Sequence, residues 1–295
     1  MRTRRALRGP ADSTVNCVVH PPATTGSTAP SRPTAVAVIP ARYASTRLPG
    51  KPLIDLGGVP MIVRVAEQAR RTPGIADVVV ATDDARVRDA VEAHGGVAVM
   101  TRADHRSGTD RIAEVAAALT CDVIVNVQGD EPLIDPAMIA AALTPFADPA
   151  VEMTTLCRRL TDAEEFLNPN VVKAVVGQDG FALYFSRAAV PFDRTAGQPG
   201  SHAAVPVRAF KHIGLYAYRR ATVLRLAALP PTALEETEML EQLRALEHGI
   251  RIKVVQTELD SIGVDTDADV ARVRALLAAS PSVSHARPVH DHAQP

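Results

Sequence analysis

The densest group of residues suited to chemistry lies in residues 36–52, where a short apolar run leads into a loop. Three cations, Arg42, Arg47 and Lys51, are spaced along this loop among Ser, Thr, Pro and Gly residues. Fixed cations and free backbone N–H groups replace the hydration that a polyphosphate gives up on binding, so the loop favours a polyphosphate ligand. A basic surface turn is the alternative interpretation.

The loop follows neither of the two commonest phosphate-binding patterns. A Walker loop needs Gly at the place of Ser45 and Ser or Thr at the place of Pro52. The dinucleotide fingerprint needs three glycines in a tight register, and only Gly50 stands here. The stretch therefore predicts a phosphate site of neither kind.

Two aspartates follow strand-like segments further along the chain. Asp130 lies in a Gly-Asp-Glu-Pro turn after the apolar run 123–128, and ligands of open α/β sheets bind beyond the carboxyl ends of strands. A carboxylate there is a candidate Mg²⁺ ligand, because hard oxygen donors hold Mg²⁺ against substrate phosphates; an ordinary turn residue is the alternative. Asp265 lies at a second strand-to-helix passage, where its pattern alone favours an ordinary helix-start residue.

A polar loop, residues 101–110, leads into a predicted helix. Its Ser-Gly-Thr segment offers the free N–H groups of the helix N-terminus to an anion or a base edge. Arg102 and His105 beside that segment favour a ligand. The alternative is that Ser107 or Thr109 only caps the helix.

Two later segments carry polar faces that suit either a ligand or solvent. In the strand-like run 210–218, side chains alternate, so His212 and Tyr216 share one face. The run 234–249 is predicted as one helix with an acidic start, and its spacing places three polar residues on one face. These residues are Glu235, Glu238 and Gln242.

The elements that must position these residues alternate between strand and helix. Strands are predicted at 36–39, 76–82, 97–100, 123–128, 153–159, 171–176, 181–186, 210–218 and 250–256. Helices are predicted at 61–71, 84–94, 111–119, 136–146 and 234–249, and from Thr266 onward with a capping box to Asp269. The alternation with short connections predicts a parallel sheet with right-handed crossovers. Gly-Gln-Asp-Gly at 177–180 predicts a hairpin, and 194–206 a long disordered or functional loop.

Composition bounds the function. The formal net charge of the 295-residue chain is −1, so no overall field attracts nucleic acid or an anionic membrane, and no apolar run is long enough to span a bilayer. Three widely spaced cysteines indicate reduced thiols of a cytosolic protein. Residues 1–34 and 279–295 lack periodicity and are predicted to be a disordered N-terminal extension and a disordered C-terminal tail.

A series of motifs in the right order resembles the 3-deoxy-manno-octulosonate cytidylyltransferases, also called CMP-Kdo synthetases. The resemblance covers about residues 35–278. The motifs are IPARYASTRLPGKP (39–52), ATD (81–83), TRADH (101–105), VNVQGDEP (125–132), NPNVVK (168–173), ALYFSR (182–187), KHIGLY (211–216), EMLEQLR (238–244) and GVDT (263–266).

The resemblance implies a fold and an activity. The fold is α/β, a Rossmann-like, glycosyltransferase-A-like nucleotidyltransferase domain with a mostly parallel central sheet and a β-rich sugar-binding and dimerisation lobe at about 153–219. The implied enzyme is a cytoplasmic, Mg²⁺-dependent homodimer. It activates 3-deoxy-D-manno-octulosonate (Kdo) with CTP to CMP-Kdo and pyrophosphate, for lipopolysaccharide or related surface-glycan biosynthesis.

The resemblance also implies roles for individual residues. It assigns Arg42, Arg47 and Lys51 to the CTP phosphates, and Asp130 and Asp265 to Mg²⁺; these five form the implied catalytic set. The rest of the nucleotide pocket consists of Arg102, Ser107 and Gln128. The implied sugar-acid pocket consists of Arg187, His212, Tyr216, Glu235, Glu238 and Gln242.

The chain departs from the family pattern on the side of the sugar. It has no Trp, whereas the family often has one near residues 191–194, and it reads Leu-Glu-Glu-Thr-Glu at 234–238 where relatives commonly read Leu-Glu-His-Ile-Glu. These departures concern the identity of the acceptor and not the reaction class. Two alternatives stay open. One is the same chemistry on another acidic sugar, an amino-substituted Kdo or a nonulosonate; the other is a non-catalytic relative that binds nucleotide sugars.

Overall fold

The structure is a computed structural model that describes residues 33–44, 48–194 and 205–279. Arg47 lies outside the described residues. So do nearly all of the two termini predicted to be disordered and most of the loop 194–206, which is predicted to be disordered or functional.

The described residues form one sheet of nine strands. The strands are β1 (Ala35–Ala41), β2 (Ile75–Thr82), β3 (Val97–Met100), β4 (Val123–Asn126), β5 (Met153–Arg159), β6 (Lys173–Val176), β7 (Ala182–Ser186), β8 (Phe210–Arg219) and β9 (Ile252–Gln256). The main path runs β3-β2-β1-β4-β8-β5-β9, and β6 pairs with β7 and β8 beside it. All neighbours from β3 to β4 are parallel, as are β5 and β9, which confirms the prediction of a mostly parallel sheet. Strand β8 runs antiparallel to β4, β5 and β6.

Helices cover both faces of this sheet. They are α1 (Met61–Arg70), α2 (Ala85–Ala93), α3 (Gly108–Ala118), α4 (Pro136–Leu143), α5 (Ala163–Leu167), α6 (Arg220–Ala228), α7 (Ala233–Glu238), α8 (Gln242–Glu247) and α9 (Asp267–Ala279). Alternate side chains of β1 enter two cores: Ala37 and Ile39 pack with α1, α2 and α4, and Val36 and Val38 pack with α3, α6 and α8. Such a three-layer arrangement follows from strands that are apolar on both faces.

The prediction of a single helix over 234–249 is wrong. Met239 adopts a left-handed conformation (φ 54°, ψ 49°) and ends α7, after which α8 begins at Gln242. The break turns Leu240 into the core, where it is 6% exposed, while Met239 is 77% exposed. Burial of Leu240 thus compensates for a backbone conformation that is unfavourable for a residue other than glycine.

Helix α6 has no counterpart among the predicted elements. Strand β8 ends at Arg219 and the helix begins at Arg220, with no Gly or Pro between them. Because sequence reading depends on such punctuation, a helix that continues directly from a strand gives little signal. In the part of the chain that the structure describes, no helix has both the length and the apolar character needed to cross a bilayer.

Candidate active site

Lys51, Asp130 and Asp265 meet beyond the carboxyl ends of β1 and β4. The Lys51 Nζ donates to Oδ2 of Asp130 at 2.7 Å and to Oδ1 of Asp265 at 2.9 Å. The loop after β1 returns Lys51 to this edge of the sheet, and a short 3₁₀ helix (Lys51–Leu53) begins there. The Val264 N–H donates to the Asp130 carbonyl at 2.9 Å, which fixes the segment that leads into α9 beside the end of β4.

The two carboxylates act directly on the lysine. Burial alone would lower the pKa of Lys51, but the charges and hydrogen bonds of Asp130 and Asp265 raise it above its usual value. Lys51 is therefore a fixed cation. Its ammonium lies between two carboxylates, and their negative charges stabilise its positive charge.

The same pair of carboxylates fits a divalent cation by the chemistry of its donors. Both are hard oxygen ligands, and they already enclose one positive charge. Among residues 33–44, 48–194 and 205–279, no cluster of three or more His, Cys, Asp or Glu side chains is placed to bind a metal. A Mg²⁺ ion held by two carboxylates would complete its shell with water and substrate phosphate, which is its usual behaviour in phosphoryl-transfer sites.

Gly129 allows β4 and β1 to end next to each other. A Cβ atom added at this position would lie 2.8 Å from the carbonyl oxygen of Pro40, closer than such atoms approach in real structures. The absence of a side chain thus lets Asp130 stand beside the exit of β1. A cleft lined by Arg42, Lys51 and Gln128 opens at this point.

The loop after β1 contacts the loop after β3. The Arg42 guanidinium donates to the carbonyl of His105 at 2.5 Å. The His105 ring in turn makes a short hydrogen bond to Glu114 of α3. Arg102 projects from the same loop and pairs with Asp104 at 2.8 Å, with both side chains 68% exposed.

Ser107 caps α3 as predicted by the capping alternative. Its Oγ accepts from the Asp110 N–H at 3.2 Å, and the Asp110 carboxylate accepts from the Ser107 N–H at 3.1 Å, which completes a capping box. The Ser107 hydroxyl also donates to Glu241 at 3.1 Å. Capping and participation in a binding site are therefore compatible at this residue.

A cavity lies between β4, β8 and α8. Three of its lining residues come from the predicted site, namely Gln128, Tyr216 and Gln242. The Gln128 amide donates to the Gly214 carbonyl at 3.2 Å. Gly214 lies where β8 bulges away from β5, since Thr155 pairs with Tyr216 and the next residue of β5 pairs with Ile213.

Arg187 and Glu238 form a second group. The Glu238 carboxylate accepts from the Ser186 hydroxyl at 2.7 Å and from the Arg187 N–H at 2.9 Å, and the Arg187 Nε donates to the Glu238 carbonyl at 2.7 Å. Burial alone would raise the pKa of Glu238, but the hydrogen bonds from Arg187, Ser186 and Tyr184 lower it below its usual value. Glu238 is therefore a stable anion at the junction of β7 and α7.

His212 is enclosed by its neighbours on β5, β7 and β8. Its Nε2 lies 2.9 Å from the Thr155 hydroxyl, and its ring centroid lies 4.8 Å from that of Phe185 and 5.4 Å from that of Tyr216. Burial lowers the pKa of His212 to about 3, so the ring is neutral at physiological pH.

Glu235 stands apart from the other residues predicted for the sugar pocket. Its carboxylate accepts from the Arg244 Nε at 2.8 Å and from the Thr232 N–H at 3.2 Å. With Arg102 and Ser107 it lines a separate cleft between α3 and α7. The break at Met239 explains the separation, because Glu235, Glu238 and Gln242 no longer belong to one continuous helix.

Sequence reasoning missed two residues of this region, Glu241 and Arg244. Glu241 lines the same cavity as Gln242, and the Arg244 side chain is buried against Glu235. Both lie in the EMLEQLR motif, so the motif contained the signal. A single helix over that motif would have turned Glu241 away from the face that carries Gln242.

Comparison with known proteins agrees with this fold. A family model described as cytidylyltransferase matches residues 36–252. The 3-deoxy-manno-octulosonate cytidylyltransferase of Trichlorobacter lovleyi is 54% identical over 243 residues, which cover 81% of this chain and 96% of that protein. The protein of the same name from Geobacter sulfurreducens is 53% identical over 241 residues, covering 80% and 96%.

Solved structures show the same relationship. A CMP:2-keto-3-deoxy-manno-octonic acid synthetase complexed with CTP superposes with a TM-score of 0.77 at 46% identity, covering 83% of this chain and 98% of that one. The 4-diphosphocytidyl-2C-methyl-D-erythritol synthase of Anaerococcus prevotii superposes with a TM-score of 0.54 at 14% identity over 83% of this chain and 98% of that one, a similarity of fold alone.

The fold, the cation-and-carboxylate cleft and the family match define the chain as a nucleotidyltransferase of the cytidylyltransferase class. Within that class, its sequence is 54% and 53% identical to the two relatives named above, and each match covers 96% of the relative. The chain belongs to the 3-deoxy-manno-octulosonate cytidylyltransferase family, as the sequence motifs predict.

Proposed function

We propose that this chain transfers the cytidylyl group of CTP to the anomeric hydroxyl of Kdo and releases pyrophosphate, as a step towards lipopolysaccharide or a related surface glycan. The observation that carries the proposal is the meeting of Lys51 with Asp130 and Asp265 at the carboxyl edge of the sheet. Relatives named for this reaction support the choice of both substrates.

The reaction is an in-line substitution at the α-phosphorus. The bond from the sugar oxygen to phosphorus forms as the bond from phosphorus to pyrophosphate breaks, and the hydroxyl proton passes to solvent. Little covalent chemistry is left to the protein, so its residues act by positioning and by neutralising charge. Lys51 and Arg42 line the cleft and are the described cations proposed to stabilise the departing pyrophosphate, and Arg47 is proposed to assist them.

Asp130 and Asp265 are the residues proposed to hold Mg²⁺. When bound, the ion would supply positive charge beside the reacting phosphate and lower the pKa of an attached hydroxyl. The protein's own part is to hold both carboxylates at one edge of the cleft. Before substrate arrives, Lys51 holds them there through an ion pair to each.

The remaining residues are proposed to bind the two substrates. Arg102, Ser107 and Gln128 are assigned to the nucleotide. Arg187, His212, Tyr216, Glu235, Glu238 and Gln242 are assigned to the sugar acid. Contacts between Glu238 and Arg187, and the shared cavity of Tyr216 and Gln242, support two of these groupings. Glu235 has the weakest support, because its carboxylate is engaged by Arg244.

We further propose a homodimer that works in the cytoplasm, where nucleoside triphosphates are made. Several large apolar side chains of the lobe around β7 and β8 are exposed, including Leu183 (65%), Phe192 (86%) and Val207 (68%). A dimer interface over this lobe would remove these side chains from water, which is favourable for apolar groups. Sedimentation equilibrium of the wild type and of Leu183→Glu tests this: we expect a dimer and a weakened dimer, and a monomeric wild type would contradict it.

The main experiment is pyrophosphate release measured with a panel of substrates. CTP, UTP, ATP and GTP are each combined with Kdo, an amino-substituted Kdo and a nine-carbon 2-keto acid sugar. We expect CTP with Kdo to give a kcat/KM at least about tenfold above every other pair. A higher value for another sugar would reassign the acceptor, and CTP binding without pyrophosphate release would show a non-catalytic protein.

A further inference from the structure

Glu241 is a partly buried carboxylate between the two halves of the proposed site. It stands directly before α8, next to Gln242, and both residues line the cavity that also contains Gln128 and Tyr216. Its Oε1 accepts a hydrogen bond from the Ser107 hydroxyl at 3.1 Å, although the two residues are 134 positions apart in the sequence. The proposed function gives Glu241 no role.

The contact from Ser107 is oriented by the cap of α3. The Ser107 oxygen accepts from the Asp110 N–H, so its one hydroxyl hydrogen is left to be donated to Glu241. The Thr109 side chain also hydrogen-bonds to Glu241. One carboxylate therefore holds the first turn of α3 against the start of α8.

The hydrogen bonds continue from Thr109 to the end of β4. Tyr218 is hydrogen-bonded to both Thr109 and Asn126, the last residue of β4. Asn126 lies two positions before Gln128 and four before Asp130. A partly buried polar network thus reaches from α8 through α3 to the strand that leads to the proposed nucleotide and Mg²⁺ residues, and the hydrogen bonds of such a network strengthen one another.

Two charged groups act on Glu241 through their fields, namely Arg244, one turn further along α8, and Asp110, on α3. Arg244 is itself paired with Glu235, at 2.8 Å. Burial raises the pKa of Glu241 above its usual value. Because a buried polar group is costly unless it is hydrogen-bonded, the loss of a hydrogen bond to Glu241 would be unfavourable.

We propose that Glu241 is a positioning residue that makes the binding of nucleotide and of sugar acid depend on each other. This inference rests on the proposed function and deepens it. A sugar acid that engages Gln242 fixes the start of α8 and so fixes Glu241. Glu241 in turn fixes Ser107, Thr109 and the N-terminus of α3 beside the nucleotide. By linkage, the nucleotide must improve the affinity for the sugar by the same factor.

The test measures this factor directly by titration calorimetry. The Kd of Kdo is measured in the absence and in the presence of saturating α,β-methylene-CTP and Mg²⁺, where no turnover occurs. For the wild type we expect the analogue to tighten Kdo binding at least about fivefold. For Glu241→Gln, which keeps the shape and removes the charge, we expect this ratio to fall towards one while the Kd of the analogue alone changes less than about threefold.

Two further variants separate positioning from folding. Ser107→Ala removes the hydroxyl that donates to Glu241. If the two residues act as a pair, the double variant Ser107→Ala/Glu241→Gln should lose no more coupling than the more severe of the two single variants. Glu236→Gln removes an exposed carboxylate of α7 and should keep the wild-type ratio. Melting temperatures are recorded for every variant.

The outcomes are distinct. The proposal is overturned if the ratio of the two Kd values of Kdo is near one in the wild type, or if it is unchanged in Glu241→Gln. It is also overturned if Glu241→Gln weakens the binding of one substrate but keeps the ratio, because Glu241 would then be a simple contact. If the wild type binds both ligands with coupling but releases no pyrophosphate from CTP and Kdo, the proposed function fails and the positioning role stands.

Discussion

The Lys51 ammonium lies 2.9 Å from the Asp265 carboxylate, although 214 positions separate the two residues in the sequence. The contact closes the described fold on itself, because Lys51 follows the first strand and Asp265 precedes the last helix. It also gives Asp265 a function in the free protein. The carboxylate is held at the edge of the cleft before any substrate binds.

Replacing either aspartate should abolish turnover without unfolding the protein. We expect Asp130→Ala and Asp265→Ala each to lower kcat by about 10²–10³ or more, because the charge at the reacting phosphate is no longer balanced. Asp267→Ala is the matched control, since Asp267 is an exposed residue two positions from Asp265. A kcat close to that of the wild type in either variant, measured by pyrophosphate release, would exclude the proposed Mg²⁺ site.

Lys51→Met should separate metal binding from catalysis. Loss of the phosphate-binding cation is expected to lower kcat/KM for CTP by about 10²–10³. Without the ammonium, however, Asp130 and Asp265 repel each other, so Mg²⁺ alone should raise the melting temperature of Lys51→Met more than that of the wild type. Scanning fluorimetry at increasing Mg²⁺ without nucleotide checks this, and equal shifts in the two proteins would argue against a shared site for Lys51 and the ion.

Gly129→Ala should destabilise the fold by about 1–3 kcal/mol, because the added methyl group meets the Pro40 carbonyl. Gly263→Ala is the control: its Cβ would meet nothing within 4 Å. Urea unfolding of both variants gives the comparison. If Gly129→Ala were as stable as Gly263→Ala, close approach of the two strand ends could not be the reason for a glycine at position 129.

His212 should make stability depend on pH. Its pKa is about 3 in the folded protein and near 6.5 when unfolded, so the unfolded chain binds the proton first. The contribution of the neutral ring is complete above pH 6.5 and is lost as the pH falls towards 3, by roughly 2–4 kcal/mol in total. The stability difference between the wild type and His212→Phe should therefore shrink over this range in urea titrations. A difference that stays constant between pH 7 and pH 3 would contradict this prediction.

Glu235 and Glu238 should differ in what their loss affects. Glu235 is paired with Arg244, so Glu235→Gln is expected to reduce stability by about 1–3 kcal/mol through the unpaired guanidinium. Glu238 contacts Ser186 and Arg187, so Glu238→Gln is expected to raise the KM for the sugar more than Glu235→Gln does. Equal effects of the two changes on KM would place both carboxylates at the sugar.

The sheet and most helices are predictable from the sequence because their signals are local. The prediction of β3 at 97–100 is confirmed at both ends, and the helix predicted at 84–94 is present as α2, which Asp84 caps. The capping box between Thr266 and Asp269 is also present. Each of these features depends on residues a few positions apart.

The geometry of the site is less predictable because it depends on distant contacts. Residue pattern alone favours an ordinary helix-start residue at Asp265, and only the resemblance assigns it to the same ion as Asp130. The left-handed conformation of Met239 has no signal of its own, since glycine is the usual residue there. The burial of Leu240 stabilises the left-handed conformation of Met239, and Leu240 is buried only in the folded core.

The antiparallel direction of β8 brings two of the proposed acceptor residues to the edge at which β1 and β4 end. Tyr216 pairs with Asn126, the last residue of β4, and His212 lies four positions before Tyr216 on the same strand. The proposed nucleotide residues thus come from one continuous stretch, 42–128, and the proposed acceptor residues from another, 187–242. With these assignments, acceptor preference can change through substitutions within 187–242 alone, without altering the proposed triphosphate residues or the proposed Mg²⁺ ligands Asp130 and Asp265.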